Sequence, residues 1–351
     1  MRSFEAAGAQ RVPTRRTVSI IIPFFNEAAN LPNLVDALDG YIAAAAYRWS
    51  IAFELIFVDD GGTDGGLQRL RAYLAARPRD FGARLLRLSR NFGKDAALTA
   101  GLAVVESDAV VFMDADLQHP PSVIDAFLTG WIAEGYDVVC AYQDRARPEP
   151  WWKRRARSLY RELTRSSAPA PVHPDIGDFR LMSRKAYEAL RDLGERQRLM
   201  RGLYDWVGFS TKAVAYTAPD RLFGASKFSP LKLVALGVEG ITASSVAPLR
   251  LAVWAGVSLG VLAGAYGLWT VVETVVVGVG PPGYPTIVCT ISMIGAAQLI
   301  FLGVIGEYLG KVLAEAKGRP IYVLESDCVL AGAELTSRRT EIGGLVYRLD
   351  R

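Results

Sequence analysis

The chain of 351 residues is long enough for one large domain or two ordinary ones. Its hydrophobic fraction of 51% and mean hydropathy of +0.19 are high for a wholly soluble enzyme and point to a membrane-embedded portion. Lys and Arg number 40 against 36 Asp and Glu, a net charge of +4 too balanced to suggest nucleic acid.

In chain order, residues 1–17 are polar and basic without an apolar core, so no cleavable signal peptide is expected. From residue 18 to about 216, short apolar runs alternate with helix-like stretches. The runs 18–23, 53–59, 84–88, 109–113, 137–142, 179–183 and 210–216 are predicted strands. Apolar residues recur at helical spacing over 31–46, 64–77, 95–105 and 121–133. This alternation predicts an α/β domain with a mainly parallel sheet covered by helices on both faces. Ligands of such sheets bind beyond the carboxyl ends of the strands. Glu27, Asp59, Asp60, Asp114 and Asp116 all fall there.

Beyond Pro248 the composition changes. Residues 251–272 and 274–306 carry no charge. About 20 helical residues cross the hydrocarbon core of a bilayer, so both runs are predicted membrane spans. The Gly- and Pro-rich stretch 278–285 separates them and makes a two-helix hairpin. Arg250 precedes the first span and Lys311, Lys317 and Arg319 follow the second, while the connection has no Lys or Arg. The positive-inside rule then places the α/β domain and both termini in the cytoplasm. The predicted division is 1–17, a polar segment; 18–229, the catalytic domain; 230–248, an interfacial region; 249–309, two spans; and 310–351, a tail. Residues 151–160 mix tryptophans with a dense basic run and suit a membrane surface or a solvated face. Residues 230–241 suit an interfacial or a core helix. No role is assigned to the tail from Ser326.

Asp114-Ala115-Asp116 ends an apolar strand with two carboxylates, which repel unless a cation or strong donors compensate. Such a pair offers oxygen ligands to a hard divalent ion that also binds phosphates, or simply solvates a loop. Asp59-Asp60-Gly61-Gly62 follows another strand with acids free to meet a ligand, and Asp64 is expected to cap the next helix. Lys94, in Arg90-Asn91-Phe92-Gly93-Lys94, could reach a diphosphate or form a salt bridge. Cys140, Cys289 and Cys328 are scattered, and His119 and His173 are the only histidines, so structural zinc and a disulfide framework are not expected. His119 is read as structural.

Ile-Ile-Pro-Phe-Phe-Asn-Glu at 21–27, Val-Asp-Asp-Gly-Gly-Thr-Asp at 58–64, Arg-Asn-Phe-Gly-Lys at 90–94 and Met-Asp-Ala-Asp-Leu-Gln-His-Pro at 113–120 resemble, in order and spacing, the GT-A fold, family 2 glycosyltransferases. With Gly-Asp-Phe-Arg-Leu at 177–181, the segments at 206–209 and 221–227, and the hairpin, the chain looks like a polyprenyl-phosphate glycosyltransferase over residues 18–323. Dolichyl-phosphate mannose synthases and bacterial undecaprenyl-phosphate glucosyltransferases form that group.

The resemblance implies that Pro23, Glu27, Asp59 and Asp60 hold the nucleoside, with Lys94, Asp114 and Ala115 also on the nucleotide. Asp116 with Gln118 would ligate Mg²⁺ or Mn²⁺, with Asp114 in or beside the metal shell. Arg221 and Lys227 would meet the diphosphate, and Arg221 is expected to assist catalysis. Asp178 matches the position usually proposed as base. Arg145, Arg147, Lys153 and Arg154 would receive the lipid phosphate. The donor implied is a UDP-hexose such as UDP-glucose, and the acceptor is undecaprenyl phosphate in the bacterial inner membrane. Membrane lipid is a further expected partner, nucleic acid is not, and a homo-oligomer is left open. Gly62 departs from the family's usual Ser, and Leu222-Phe223 from smaller residues.

An acceptor phosphate with a second pKa near 6 is already largely a dianion at neutral pH. Asp178 is therefore expected mainly to orient donor or acceptor. A processive polysaccharide synthase is disfavoured, because the segment 197–202 misses Gln-x-x-Arg-Trp. A P-loop or dinucleotide enzyme lacks its glycine motif. The remaining alternative is a non-catalytic membrane scaffold or lipid-handling partner with a decayed transferase domain.

Overall fold

The computed structural model describes residues 15–143, 176–196, 198–217, 247–277 and 283–330, together with Arg155. Eight strands form one sheet: β1 (Arg16–Phe24), β2 (Ile51–Asp59), β3 (Gly82–Leu88), β4 (Ala109–Phe112), β5 (Val138–Gln143), β6 (Ile176–Ser183), β7 (Thr211–Tyr216) and β8 (Leu324–Leu330). Their order is β7-β5-β6-β4-β1-β2-β3-β8. Strands β4, β1, β2 and β3 run parallel, as do β5 and β7. The sheet is nevertheless mixed, since β6 runs antiparallel between β4 and β5, and β8 antiparallel along β3.

Side chains of a strand alternate between faces, and here both faces are covered. Ile20, Ile22, Leu55 and Phe57 join one core beneath α1 (Leu31–Trp49), α2 (Gly66–Ala75) and α4 (Val123–Leu128). Ile21, Ile56 and Val58 join a second core with α3 (Lys94–Ala103), α5 (Arg184–Arg191) and α6 (Met200–Trp206). This is why the central strands read as unbroken apolar runs. Helix α1 shows the local logic. Its buried Leu31, Leu34, Val35, Leu38, Ile42 and Ala45 recur at three- and four-residue steps, Pro32 sits in its first turn, and Ser50 ends it at φ 53.

Several predicted boundaries shift. The expected helix over 121–133 becomes α4 followed by a wider π turn, Thr129–Ala133. Helices α5 and α6 were not anticipated. The largest correction is β8. The tail was expected to be a separate segment without a role from Ser326, yet residues 324–330 complete the sheet edge. Arg84 holds Asp327 through Nε and Nη2, at 2.9 and 2.6 Å, and Arg87 Nε lies 2.9 Å from Glu325. Leu324, Cys328 and Leu330 turn their less exposed faces to the domain, a period-two signal diluted by the charges around it.

Helices α7 (Ala247–Val277) and α8 (Tyr284–Ala316) contain apolar stretches, Ala252–Thr270 and Met293–Ala316, long enough to cross a membrane. Neither stretch is buried inside the protein, so their apolar surface is not that of core helices. Membrane association follows. Tyr284 and Pro285, counted with the connection in the sequence reading, instead open α8. The helix expected at 230–241, interfacial or core, lies outside the described residues.

Gly101 lets α3 lie close against the sheet: a Cβ there would stand 2.5 Å from Ile21 Cγ2 and 3.3 Å from Val58 Cγ2. Gly101→Val is expected to destabilise the catalytic domain by about 2–3 kcal/mol through overpacking, measurable as a lowered denaturant midpoint.

Candidate active site

The loops after β1, β2, β3 and β4 meet at the carboxyl edge of the sheet, and polar side chains bind them to one another. Asp60 N–H donates to Phe24 O at 2.9 Å. Asn26 Oδ1 accepts Thr63 N–H at 2.8 Å, and Asp64 Oδ2 accepts Ala28 N–H at 2.8 Å. Asp64 Oδ1 also takes Gly66 N–H at 2.9 Å, so it serves the first turn of α2, although Gly65 is the capping residue. Both oxygens of Asp60 accept backbone N–H groups of the next loop, from Phe92 at 2.7 Å and Gly93 at 2.9 Å. Asp59 Oδ1 accepts Gly62 N–H at 2.8 Å.

Glycine is required at the centre of this junction. Gly61 has φ 70, and a Cβ there would come within 2.3 Å of Arg90 C. At Gly62 a Cβ would stand 2.8 Å from Asp59 Oδ1, so the departure from serine leaves room that the carboxylate uses. Burial pushes the pKa values of Asp59 and Asp60 up, against the backbone donors that favour their ionised forms. Glu27 lies beside them and accepts Asn30 Nδ2–H at 2.5 Å.

The antiparallel β6 supplies the next residue. Phe112 of β4 pairs with Arg180 of β6, and continuing that register by two residues sets Asp178 opposite Asp114. Two facing acids demand a cation. Lys94, the first residue of α3, meets both: Nζ is 2.5 Å from Asp114 Oδ1 and 2.7 Å from Asp178 Oδ2. Arg201 Nε, on α6, lies 3.4 Å from Asp178 Oδ1.

Burial alone would raise the Asp178 pKa, but Lys94 and Arg201 overcome it and hold the carboxyl below its usual range. Burial opposes the Lys94 charge, and the two carboxylates outweigh that and raise its pKa. Neighbouring Asp95 is pushed up to about 6 by burial and by the Asp178 charge.

The segment after β4 is held from behind. His119 Nδ1 accepts Asp114 N–H at 3.0 Å, and its ring stacks on Phe179 with centroids 4.4 Å apart. Burial keeps the His119 pKa low, as an accepting imidazole requires. Leu117 turns the chain at φ 63, and Asp116 Oδ1 accepts Gln118 N–H at 3.1 Å. Asp114 and Asp116 present hard oxygen donors suited to a divalent ion. Among the described residues no group of three or more His, Cys, Asp or Glu could hold a metal. Two acids and Gln118 fit an ion whose remaining positions go to phosphate oxygens and water.

The structure thus gathers Pro23, Glu27, Asp59, Asp60, Lys94, Asp114, Ala115, Asp116, Gln118 and Asp178 at one edge of the sheet. Lys94, expected on a diphosphate or in a salt bridge, bridges Asp114 and Asp178. Arg145, Arg147, Lys153, Arg154, Arg221 and Lys227 lie outside the described residues. Arg201 and Asp95 were missed. Arg201 figured only in a segment failing another motif, and its position beside Asp178 depends on α6, which was not foreseen.

Acids closing on a shared lysine at the strand ends, in a domain joined to two membrane-length helices, define a membrane-associated glycosyltransferase once the family matches are added. The model described as "Glycosyl transferase family 2" matches residues 19–191, and the chain belongs to that family, with the expected GT-A type of fold. A second model, "GtrB C-terminal hairpin", matches residues 247–312. An uncharacterized glycosyltransferase of Synechocystis sp. is 37% identical, over 88% of this chain and 94% of its own length. The bactoprenol glucosyl transferase of Shigella phage SfX is 35% identical, over 88% of this chain and 99% of that one. A crystal structure of glucosyl-3-phosphoglycerate synthase from Mycobacterium tuberculosis aligns with a TM-score of 0.42 at 22% identity, over 65% of this chain and 78% of that chain.

Removing the lysine tests the charge arrangement. In Lys94→Met, Asp114 and Asp178 lose their shared ammonium, only the more distant Arg201 and Arg180 still favour the ionised Asp178, and the Asp178 pKa rises. Turnover is expected to fall by about 10²-fold from misplacement. The pH–rate profile should also gain an acid limb, because Asp178 now takes up a proton as pH falls toward neutrality.

Proposed function

We propose that this chain transfers a hexose, glucose being the favoured one, from a nucleoside diphosphate sugar to the phosphate of a membrane-held polyprenyl phosphate. One observation carries the reading: Asp178, buried and opposite Asp114, is kept ionised by Lys94 and Arg201. A carboxylate held in that state is a weak proton acceptor. It suits a reaction whose acceptor arrives already ionised rather than one that must deprotonate a sugar hydroxyl. The relatives named bactoprenol glucosyl transferase, from Shigella phages SfX and SfV, support both the acceptor class and glucose.

Pro23, Glu27, Asp59 and Asp60 form the nucleoside end of the cleft. Asp59 and Asp60 act there chiefly by fixing the loops, since their oxygens already hold Gly62, Phe92 and Gly93. Asp116, Gln118 and Asp114 would hold Mg²⁺ or Mn²⁺, which when bound supplies Lewis-acid stabilisation of the diphosphate leaving group. Arg221 and Lys227 add positive charge to the same diphosphate. Asp178 orients the sugar, while Arg145, Arg147, Lys153 and Arg154 take the acceptor phosphate. The displacement at the anomeric carbon is single and inverting, with no covalent enzyme intermediate. A polyprenyl chain cannot leave the bilayer, so α7 and α8 bring the cleft to the headgroup plane. Arg250, Lys311, Lys317 and Arg319 favour a cytoplasmic catalytic domain in a bacterial inner membrane.

The test is reconstitution with undecaprenyl phosphate and a panel of UDP- and GDP-sugars, with and without Mg²⁺ or Mn²⁺. UDP-glucose should label the lipid only with metal, and failure with every donor would sink the proposal. Asp178→Asn should lower the rate by about 10²-fold, nearly evenly from about pH 6 to 9. A depressed carboxyl is already fully ionised there, so it contributes no limb in that window. A loss that grows steeply with pH would instead assign Asp178 to proton removal.

A further inference from the structure

Where α8 leaves its apolar stretch, a cavity of about 330 Å³ opens between the helix end and the segment joining α5 to α6. Its size lies at the lower end of the range of about 300–1,000 Å³ usual for small-molecule sites. Arg196, Lys317 and Arg319 bring three cations to its wall, with Leu313 and Ile321 as apolar lining. Glu315, in the last turn of α8, accepts the backbone N–H of Arg196 at 3.0 and 3.3 Å. Among the described residues the side chains of Lys317 and Arg319 have no ion-pair partner.

The end of a helix carries negative partial charge on its last carbonyls, which would repel an anion. Here two of those carbonyls are occupied, and so is one just beyond the helix end. Lys317 N–H donates to Leu313 O at 3.0 Å, Gly318 N–H to Glu315 O at 3.2 Å, and the Arg196 guanidinium to Arg319 O at 2.6 Å. Gly318 ends the helix at φ 66 and turns Arg319 back toward the cavity.

Position suggests the occupant. The uncharged run of α8 ends at Gly306 and its membrane-length stretch at Ala316, so Lys317 and Arg319 lie on the headgroup side of that span. A phosphate with an apolar continuation matches three cations beside Leu313 and Ile321. We infer that this cavity binds the phosphate of an anionic phospholipid, a site apart from the acids that handle the sugar donor. The lipid would join the end of α8 to the Arg196 segment and so set the attitude of the catalytic domain on the membrane.

The experiment uses the full chain in a neutral detergent, with thermal unfolding followed while short-chain phosphatidylglycerol, phosphatidylcholine or inorganic phosphate is added. Phosphatidylglycerol should raise the unfolding midpoint by several degrees, and the other two should not. The double variant Lys317→Gln/Arg319→Gln should unfold like wild type without lipid and lose the phosphatidylglycerol shift. Each single variant should weaken apparent lipid affinity several-fold, so the inference stays testable if the double variant folds poorly. An equal shift with phosphatidylcholine, or an undiminished shift in the variants, would overturn the site. A full shift with inorganic phosphate alone would overturn the lipid as its source.

Discussion

Acids crowded at the end of one sheet repel each other, and the ammonium of Lys94 lets two of them share a cleft. Lys94 can do so because the tight turn at Gly61 seats the β3–α3 loop and Asp60 fixes its backbone, while β6 enters the sheet in the reverse sense. With a parallel strand at that position the register would not set Asp178 across from Asp114. With Arg201, the Lys94 ammonium also holds below its usual range the pKa of a buried carboxyl that burial alone would render more basic. The antiparallel strand, the loop glycine and the ionised acid form one device.

The other acids divide by what their oxygens already hold. Asp60 and Asp64 spend theirs on backbone N–H groups and act as fasteners between loops. Asp114 meets the Lys94 ammonium and Asp116 accepts Gln118 N–H, with the Asp114 backbone pinned by His119. Such pinning places charge before substrate arrives, so little reorganisation is left for the reaction itself.

The α/β alternation, the four strand-end motifs and the two membrane helices were legible because each has a strong local signature. Val110, Val111 and Phe112 announce a buried strand, and the uncharged runs announce spans. Features that depend on pairing were not legible. The direction of β6 cannot be read from Phe179–Ser183 in isolation, because antiparallel and parallel strands share one apolar pattern. Arg201 reaches Asp178 only through the placement of α6. In β8, Glu325 and Asp327 conceal a strand that makes sense only opposite Arg84 and Arg87. The loop-fixing part of Asp59 and Asp60 likewise rests on which N–H each oxygen accepts.

Strand β8 has a further consequence for how the molecule is made. The sheet begins before the membrane helices and is finished by a strand that follows them. During synthesis β3 therefore remains an open edge until residues 324–330 have left the ribosome, after both apolar helices have emerged. Completion of the catalytic domain is in this way coupled to delivery of the chain into the bilayer. A polypeptide stopped before that strand would carry most of the active-site motifs together with an unsealed, aggregation-prone flank.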